Sequence, residues 1–212
     1  GLLIPIIKGW MTERSLDITS DAVQIHGGMG FIEETGAAQH YRDARILPIY
    51  EGTTAIQAND LVFRKTIRDN GAAVNSLLDD IDNEMATLAN HHNTEIVKAS
   101  KSIIEANNTA RKVAAHILGG ANTPRRPAAS GSNYLMLLGT LCGGWLMTRS
   151  GAAAADALAK GETGAIGNDD FMKIKLTTMQ IYITHHLPKI SGLACTITDG
   201  DNPALAMQPD WL

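Results

Sequence analysis

Apolar residues in this chain recur at helical spacing almost from end to end, and the interruptions are clusters of glycine and proline. Few runs alternate apolar and polar residues as half-buried strands would. The spacing predicts a first helix beginning near Pro5, a residue suited to a first helical turn, and stopping at Gly27-Gly28. A loop through Gly30 and Phe31 follows, then a short helix over 37–45 that ends before Pro48. After Ile49-Tyr50-Glu51-Gly52, Thr53 or Thr54 can cap another helix, whose Ile56, Phe63 and Ile67 fall within about 40° of one another at helical pitch. Asn70-Gly71 ends it. The second half predicts helices over 73–90, 94–118, 132–160 and 169–186, broken by Gly119-Gly120, by ANTPRRPAASGS at 121–132 and by 161–167. Pro188 interrupts or ends the last of them. The polar tail after Gly200 holds two prolines and is expected to lie on the surface. The expected fold is therefore all-α, with a soft boundary at Gly71.

Composition narrows the function classes. The 212 residues are 44% hydrophobic and 19% charged, enough to bury one large core or two small ones. Eighteen Lys and Arg against 22 Asp and Glu give a net charge of −4, with no electrostatic footprint for nucleic acid. Cys142 and Cys195 sit among apolar neighbours and read as buried reduced thiols, so the expected setting is the reducing cytoplasm. No basic region leads into a long apolar run at the start, so no signal peptide is expected. The most apolar stretch, residues 134–147, is too short to span a bilayer and reads as a buried core helix. The sequence opens at Gly1 inside an apolar pattern with no capping residue before it, which predicts a piece of a longer chain.

The residues with chemistry to offer are concentrated between Gln24 and Gln57: QIHGGMGFIEETGAAQHYRDARILPIYEGTTAIQ. Glu51 is a lone carboxylate between Tyr50 and Gly52. In a dry cleft such a group gains basicity by desolvation; the helix start after it favours its ionised form instead. Taken alone it is an acidic residue beside a helix. Gly52 permits close approach of substrate and backbone. Gln24-Ile25-His26-Gly27-Gly28 ends a helix on glycines, whose exposed N–H groups suit phosphate; by itself this is equally a plain helix stop, and no strand precedes it as a Rossmann turn requires. Arg42, Asp43 and Arg45 are suited to locking neighbouring segments together. His40 and the adjacent pairs His91-His92 and His185-His186 lack the i, i+4 spacing of a helical metal site, and no metal is expected.

Together, the Gly-Gly-x-Gly turn, the Arg-Asp-x-Arg run and the Tyr-Glu-Gly-Thr motif resemble the C-terminal domain of the acyl-CoA dehydrogenases. The resemblance is specific over residues 1 to about 70. The longer phrase HGGMGFIEETGAAQHYRDARILPIYEGT resembles the subgroup with an extra C-terminal helical extension, which includes 3-methylmercaptopropionyl-CoA dehydrogenase. It implies an up-and-down helical bundle over 1–71, lacking its upstream part, and an additional helical module over 72–212. It also implies FAD as cofactor, an acyl-CoA as substrate and Glu51 as the base that removes the α-proton, with Glu51 and Gly52 against the thioester. Glu51 would supply its backbone N–H to the thioester oxygen as well. Gln24, Ile25, His26, Gly27 and Gly28 would reach the pyrophosphate of a neighbouring subunit's FAD, and Thr53, Thr54 and Ala55 would lie near the adenosine half. Many members carry a polar residue at the position of Ala55, so no side-chain contact is expected there. A homodimer or higher homo-oligomer is implied, with electron-transfer flavoprotein or another acceptor as redox partner. Because most of the flavin-ring pocket lies on other domains in the family, this piece alone is expected to be inactive.

Other readings remain open on the sequence. An acyl-CoA oxidase would share these motifs and differ in reacting with oxygen. A non-catalytic helical module, for oligomerisation or for nucleic-acid binding through Arg125-Arg126, would need none of them.

Overall fold

The computed structural model describes residues 1–123, 125–162, 170–199, 203–206 and 208–211. Every regular element among them is helical, and none is a strand. Helix α1 runs without a break through Leu3–Ile6, a π-helical segment Ile7–Met11 and Thr12–Ile25. Single helical turns at Gly28–Phe31 and Glu33–Thr35 lead to α2, Ala37–Ala44, which packs back on the second half of α1. Helix α3 joins Thr54–Asn59 to a π-helical segment Asp60–Ile67. Then come α4 (Ala72–Leu88), α5 (Thr94–Gly119) and α6 (Arg125–Ala159). Helix α7 joins Asp170–Ile181 to the π-helical Tyr182–His186, and α8 is Lys189–Thr198. Short turns at Pro203–Ala206 and Pro209–Trp211 finish the chain.

Local chemistry sets most of the boundaries. The Thr53 hydroxyl accepts from Ile56 N (3.4 Å) and caps α3. The Asn93 side chain accepts from Glu95 N (2.9 Å) and caps α5. Between α3 and α4, Asn70 and Gly71 turn the chain with φ of 53° and 79°. The Asp69 carboxylate fastens that turn, accepting from Gly71 N (3.1 Å) and Ala73 N (3.0 Å).

Four expectations need correction. Helix α6 begins at Arg125 rather than near 132, because Pro127 falls in its first turn, where a backbone N–H has no intrahelical partner to lose. Gly28–Phe31 forms one helical turn where a loop was expected. In α3 the buried side chains are Ala58, Leu61, Val62 and Thr66, a helical stripe on the face that meets the long central helix at 125–159, while Ile56 lies on the opposite side and is 57% exposed. Cys195 is exposed; Cys142 is the more buried thiol, pushed up to about 12 by burial, and both cysteines are free. The expected helix start at 169 and part of the tail after Gly200 lie outside the described residues.

Helix α6 is the axis of the molecule. It is 35 residues long, about 50 Å at 1.5 Å per residue, and it buries side chains along its whole length, from Pro127 to Ala157, while Leu146, Arg149 and Asp156 stay exposed. Helices α5, α7 and α8 pack on it, as do α3 and the start of α1. Two glycines make the closest approaches possible. A Cβ on Gly139 would stand 2.2 Å from Trp10 Cγ, and one on Gly143 would stand 2.2 Å from the Tyr182 hydroxyl oxygen. Ile6, Leu61 and Val62 from before Gly71 enter the same buried cluster as Leu78, Ile103, Tyr134 and Leu138 from after it. Polar ties reinforce the packing: Arg111 on α5 reaches Asp79 (2.6 Å) and Asp82 (2.8 Å) on α4. Glu84 on α4 accepts from Trp145 Nε1 (2.6 Å) and pairs with Arg149, both on α6; the Arg149 hydrogen bond holds its carboxyl below the usual range. No helix among the described residues is long and apolar enough to cross a membrane.

Candidate functional site

Between α2 and α3 the chain folds into a turn that presents Glu51. Ile49 N and Tyr50 N both donate to Ile46 O (3.0 and 3.1 Å), and Thr54 N donates back to Pro48 O (3.3 Å). The Gln57 side chain closes the far side by donating to Glu51 O (3.3 Å). Glu51 has φ 53° and Gly52 φ 95°. For glycine this is ordinary, but a side-chain-bearing residue in the left-handed region costs about 1–2 kcal/mol. Such conformations persist only where the surroundings over-determine them, and they cluster at functional sites. The Glu51 side chain is exposed. The arrangement is a carboxylate on a fixed backbone stalk, directly N-terminal to a capped helix.

Two side chains of α1 reach this turn, and the sequence reading identified neither. Lys8 Nζ donates to Leu47 O (2.5 Å) and stands 4.4 Å from the centroid of the Tyr50 ring. On the other arm, the Thr54 hydroxyl donates to Glu13 Oε1 (2.5 Å). A signal for Lys8 was present, since it is the one charged side chain in the opening run GLLIPIIKGWM. Of the other residues expected here, Thr53 spends its hydroxyl on the helix cap, and Ala55 is exposed and offers only backbone.

The second group of expected residues is placed elsewhere. Gln24 and Ile25 close α1, with Ile25 84% exposed. His26 is bonded through Nδ1 to Ala22 O (2.8 Å). Gly27 (φ 60°) and Gly28 are exposed, and a Cβ on either would meet nothing within 4 Å, so there is open space beside them, although Gly27 N already donates to Gln24 O (3.0 Å). Gly30 is the opposite case, pressed against Val23 O at 2.2 Å from where a Cβ would be. Beside these, a cavity of about 640 Å³ is lined by Val23, Phe31, Ile32, Ala38, Tyr41 and Arg42. Arg42 makes two 3.0 Å bonds to Glu33 across its rim, holding the Glu33 carboxyl below its usual range. Glu13 and Gln24 are eleven residues apart on α1, a rise of about 16 Å. The Gln24–Gly28 group and the Glu51 turn are thus separate surfaces along one helix.

His91, His92 and Asp156 bring three potential ligand atoms within 4.8 Å of one another, the nearest approach to a metal cluster among the described residues. The hydrogen bonding argues against an ion. Asn93 N donates to His91 Nδ1 (3.1 Å), so in the neutral ring the proton is on Nε2, which lies 3.1 Å from Asp156 Oδ1 and donates to it. That nitrogen has no lone pair for a metal. The group instead fastens the α4–α5 connection to the end of α6.

The sequence matches two family profiles in succession: one described as "Acyl-CoA dehydrogenase, C-terminal domain" over residues 1–65, and one described as "Acetyl-CoA dehydrogenase C-terminal like" over residues 77–208, the latter more than half of the chain. The chain belongs to the acyl-CoA dehydrogenase family. It is 43% identical over 206 residues to 3-methylmercaptopropionyl-CoA dehydrogenase of Ruegeria pomeroyi, covering 94% of this chain and 33% of that protein. It is 30% identical over 211 residues to the broad-specificity linear acyl-CoA dehydrogenase FadE5 of Mycobacterium tuberculosis, covering 97% of this chain and 34% of that one. Among solved structures, an acyl-CoA dehydrogenase complexed with FAD from Bacillus anthracis superposes with a TM-score of 0.67 at 17% identity, covering 92% of this chain and 33% of the other. The chain spans about a third of the length of the acyl-CoA dehydrogenases it matches.

Proposed function

We propose that this chain is the C-terminal part of an FAD-dependent acyl-CoA dehydrogenase and carries its catalytic base, Glu51. The observation that carries this reading is the Glu51 turn: a carboxylate in a left-handed conformation, fixed by bonds on both arms, in the Tyr-Glu-Gly-Thr context of this family. The Glu51 carboxylate takes the α-proton of the acyl-CoA and becomes neutral. Its own backbone N–H, with Gly52 leaving room beside it, donates to the thioester oxygen as negative charge develops there. FAD, when bound, supplies the acceptor for the β-hydrogen, which departs with its electron pair, leaving an α,β-double bond. The exposed backbone at Gly27 and Gly28 leaves room for a pyrophosphate at the start of the Gly28–Phe31 turn, with Gln24, Ile25 and His26 around it; the Gly27 N–H itself is held by Gln24 O (3.0 Å). Thr53, Thr54 and Ala55 lie at the start of α3, where backbone donors suit the adenosine half.

The separation of these two surfaces along α1 supports a division of labour between subunits, with Gln24–Gly28 serving a neighbouring copy's cofactor. The exposed apolar side chains of α1 (Ile4, Ile7, Met11, Ile18 and Ile25) support the same assembly and the packing of the remaining two-thirds of the enzyme. Residues 1–71 act as the bundle bearing the site and 72–212 as the helical extension behind it. The chain on its own is inactive in this reading. Reduced enzyme passes its electrons to electron-transfer flavoprotein or a comparable acceptor.

The test is to purify the whole protein and add saturated acyl-CoA thioesters without oxygen. Flavin bleaching with formation of the 2-enoyl-CoA is the expected result. Bound flavin that no acyl-CoA reduces would overturn the reading, and fast reoxidation of the reduced flavin by air would move the protein to the oxidase branch.

A further inference from the structure

We propose that Lys8 and Glu13 are positioning residues for Glu51, a reading that rests on Glu51 being the base. The internal hydrogen bonds of residues 46–54 give the turn its shape. Its place relative to α1 is set by side chains. Lys8 bonds the carbonyl of Leu47 on the incoming arm and lies over the ring of Tyr50, the residue next to Glu51. Glu13 accepts from the hydroxyl of Thr54 on the outgoing arm. All three hydrogen-bonding side chains, Lys8, Glu13 and Thr54, are half-buried, so these bonds are made with reduced competition from water.

The local geometry of α1 makes the double grip possible. In a regular α-helix two positions five apart point about 140° from each other at 100° per residue. Lys8 lies inside the π-helical segment Ile7–Met11, whose bonds span five residues, and this wider turn brings Lys8 and Glu13 toward a common side. The segment is held where it is by Gly9, on which a Cβ would stand 2.7 Å from Leu135 Cδ1 of α6. The extra residue in the turn thus links the central helix to the backbone that bears Glu51. A lysine bonded to a carbonyl and an aromatic face, in an otherwise apolar run, has no charge partner among its described contacts; what it has is a fixed position against the base.

A base displaced by about 1 Å can lose on the order of 10²-fold in rate. In the whole enzyme, Lys8→Met and Glu13→Met are expected to lower kcat per bound flavin by about 10- to 100-fold, with KM for acyl-CoA moving far less. Lys8→Arg and Glu13→Gln, which keep the donor and the acceptor, are expected to recover most of the loss. Flavin content and melting temperature are measured on all four, with Glu51→Gln alongside. Wild-type kcat in Lys8→Met and Glu13→Met, beside an inactive Glu51→Gln, overturns the positioning role and leaves Glu51 as the base. A kcat that falls only in step with lost flavin or lost folded protein, or that the conservative variants do not recover, makes these residues structural and overturns it too. An active Glu51→Gln removes both readings.

Discussion

Tyr134 on α6 and Thr66 on α3 meet inside the protein, their hydroxyl oxygens 3.3 Å apart and both residues fully buried. The contact joins the segment that carries Glu51 to the helix at the centre of the fold. Tyr134→Phe leaves the Thr66 hydroxyl without its partner, and an unpaired buried hydroxyl costs about 1–3 kcal/mol. The single variant is expected to lose stability in that range by urea denaturation. Adding Thr66→Val removes the orphaned group, so the double variant is expected to be more stable than Tyr134→Phe alone.

Alkaline pH acts on the same core. Burial pushes Tyr134 from 10.0 up to about 12 and the Cys142 thiol from 9.0 up to about 12; Tyr182 is raised as well, by burial first and then by its proximity to Cys142. Each group ionises earlier in the unfolded chain than in the folded one. Their contribution to stability is therefore complete below pH 9 and is lost as pH rises through 9 to 12. The urea midpoint is expected to fall over that window. Cys142→Ala should delay the start of the fall toward pH 10, where the tyrosines begin to ionise.

Gly139→Ala tests one of the two closest approaches to α6. The new methyl would stand 2.2 Å from Trp10 Cγ, so the indole must move off α6. Overpacking of this kind costs about 1–3 kcal/mol. The expected signature is a lower melting temperature with a red-shifted Trp10 emission, read in a background with Trp145 and Trp211 replaced by Phe. An unshifted emission would mean that Trp10 does not lie on Gly139.

Where structure follows from neighbouring residues, the sequence was a sufficient guide. The cap at Thr53, one of the two threonines the sequence offered, and the turn at Asn70-Gly71 are local hydrogen-bonding devices of this kind, and the Asn93 cap, though not singled out in the sequence, is another. Glu51 stood out through its motif. What was illegible depends on contacts distant in sequence. Pro127 reads as a breaker until its place in the first turn of α6 is known. The π-helical turn at Ile7–Met11 goes with the seating of Gly9 on Leu135, far along the chain. The bond from Lys8 to Leu47 spans 39 residues and leaves no periodic trace. The left-handed φ of Glu51 has no signature in residue type either, since asparagine or glycine would be expected there.

The most direct measurement is the single-turnover rate of flavin reduction by acyl-CoA in the whole enzyme with Glu51→Gln. The amide keeps the size of the side chain and cannot take the α-proton. The variant is expected to bind its flavin normally and to be reduced at least about 10²-fold more slowly than the wild type, since removing a general base costs about 10²–10⁴ in rate. A variant that holds its flavin and keeps more than about a tenth of the wild-type rate, well above that range, would contradict the assignment of Glu51 as the base.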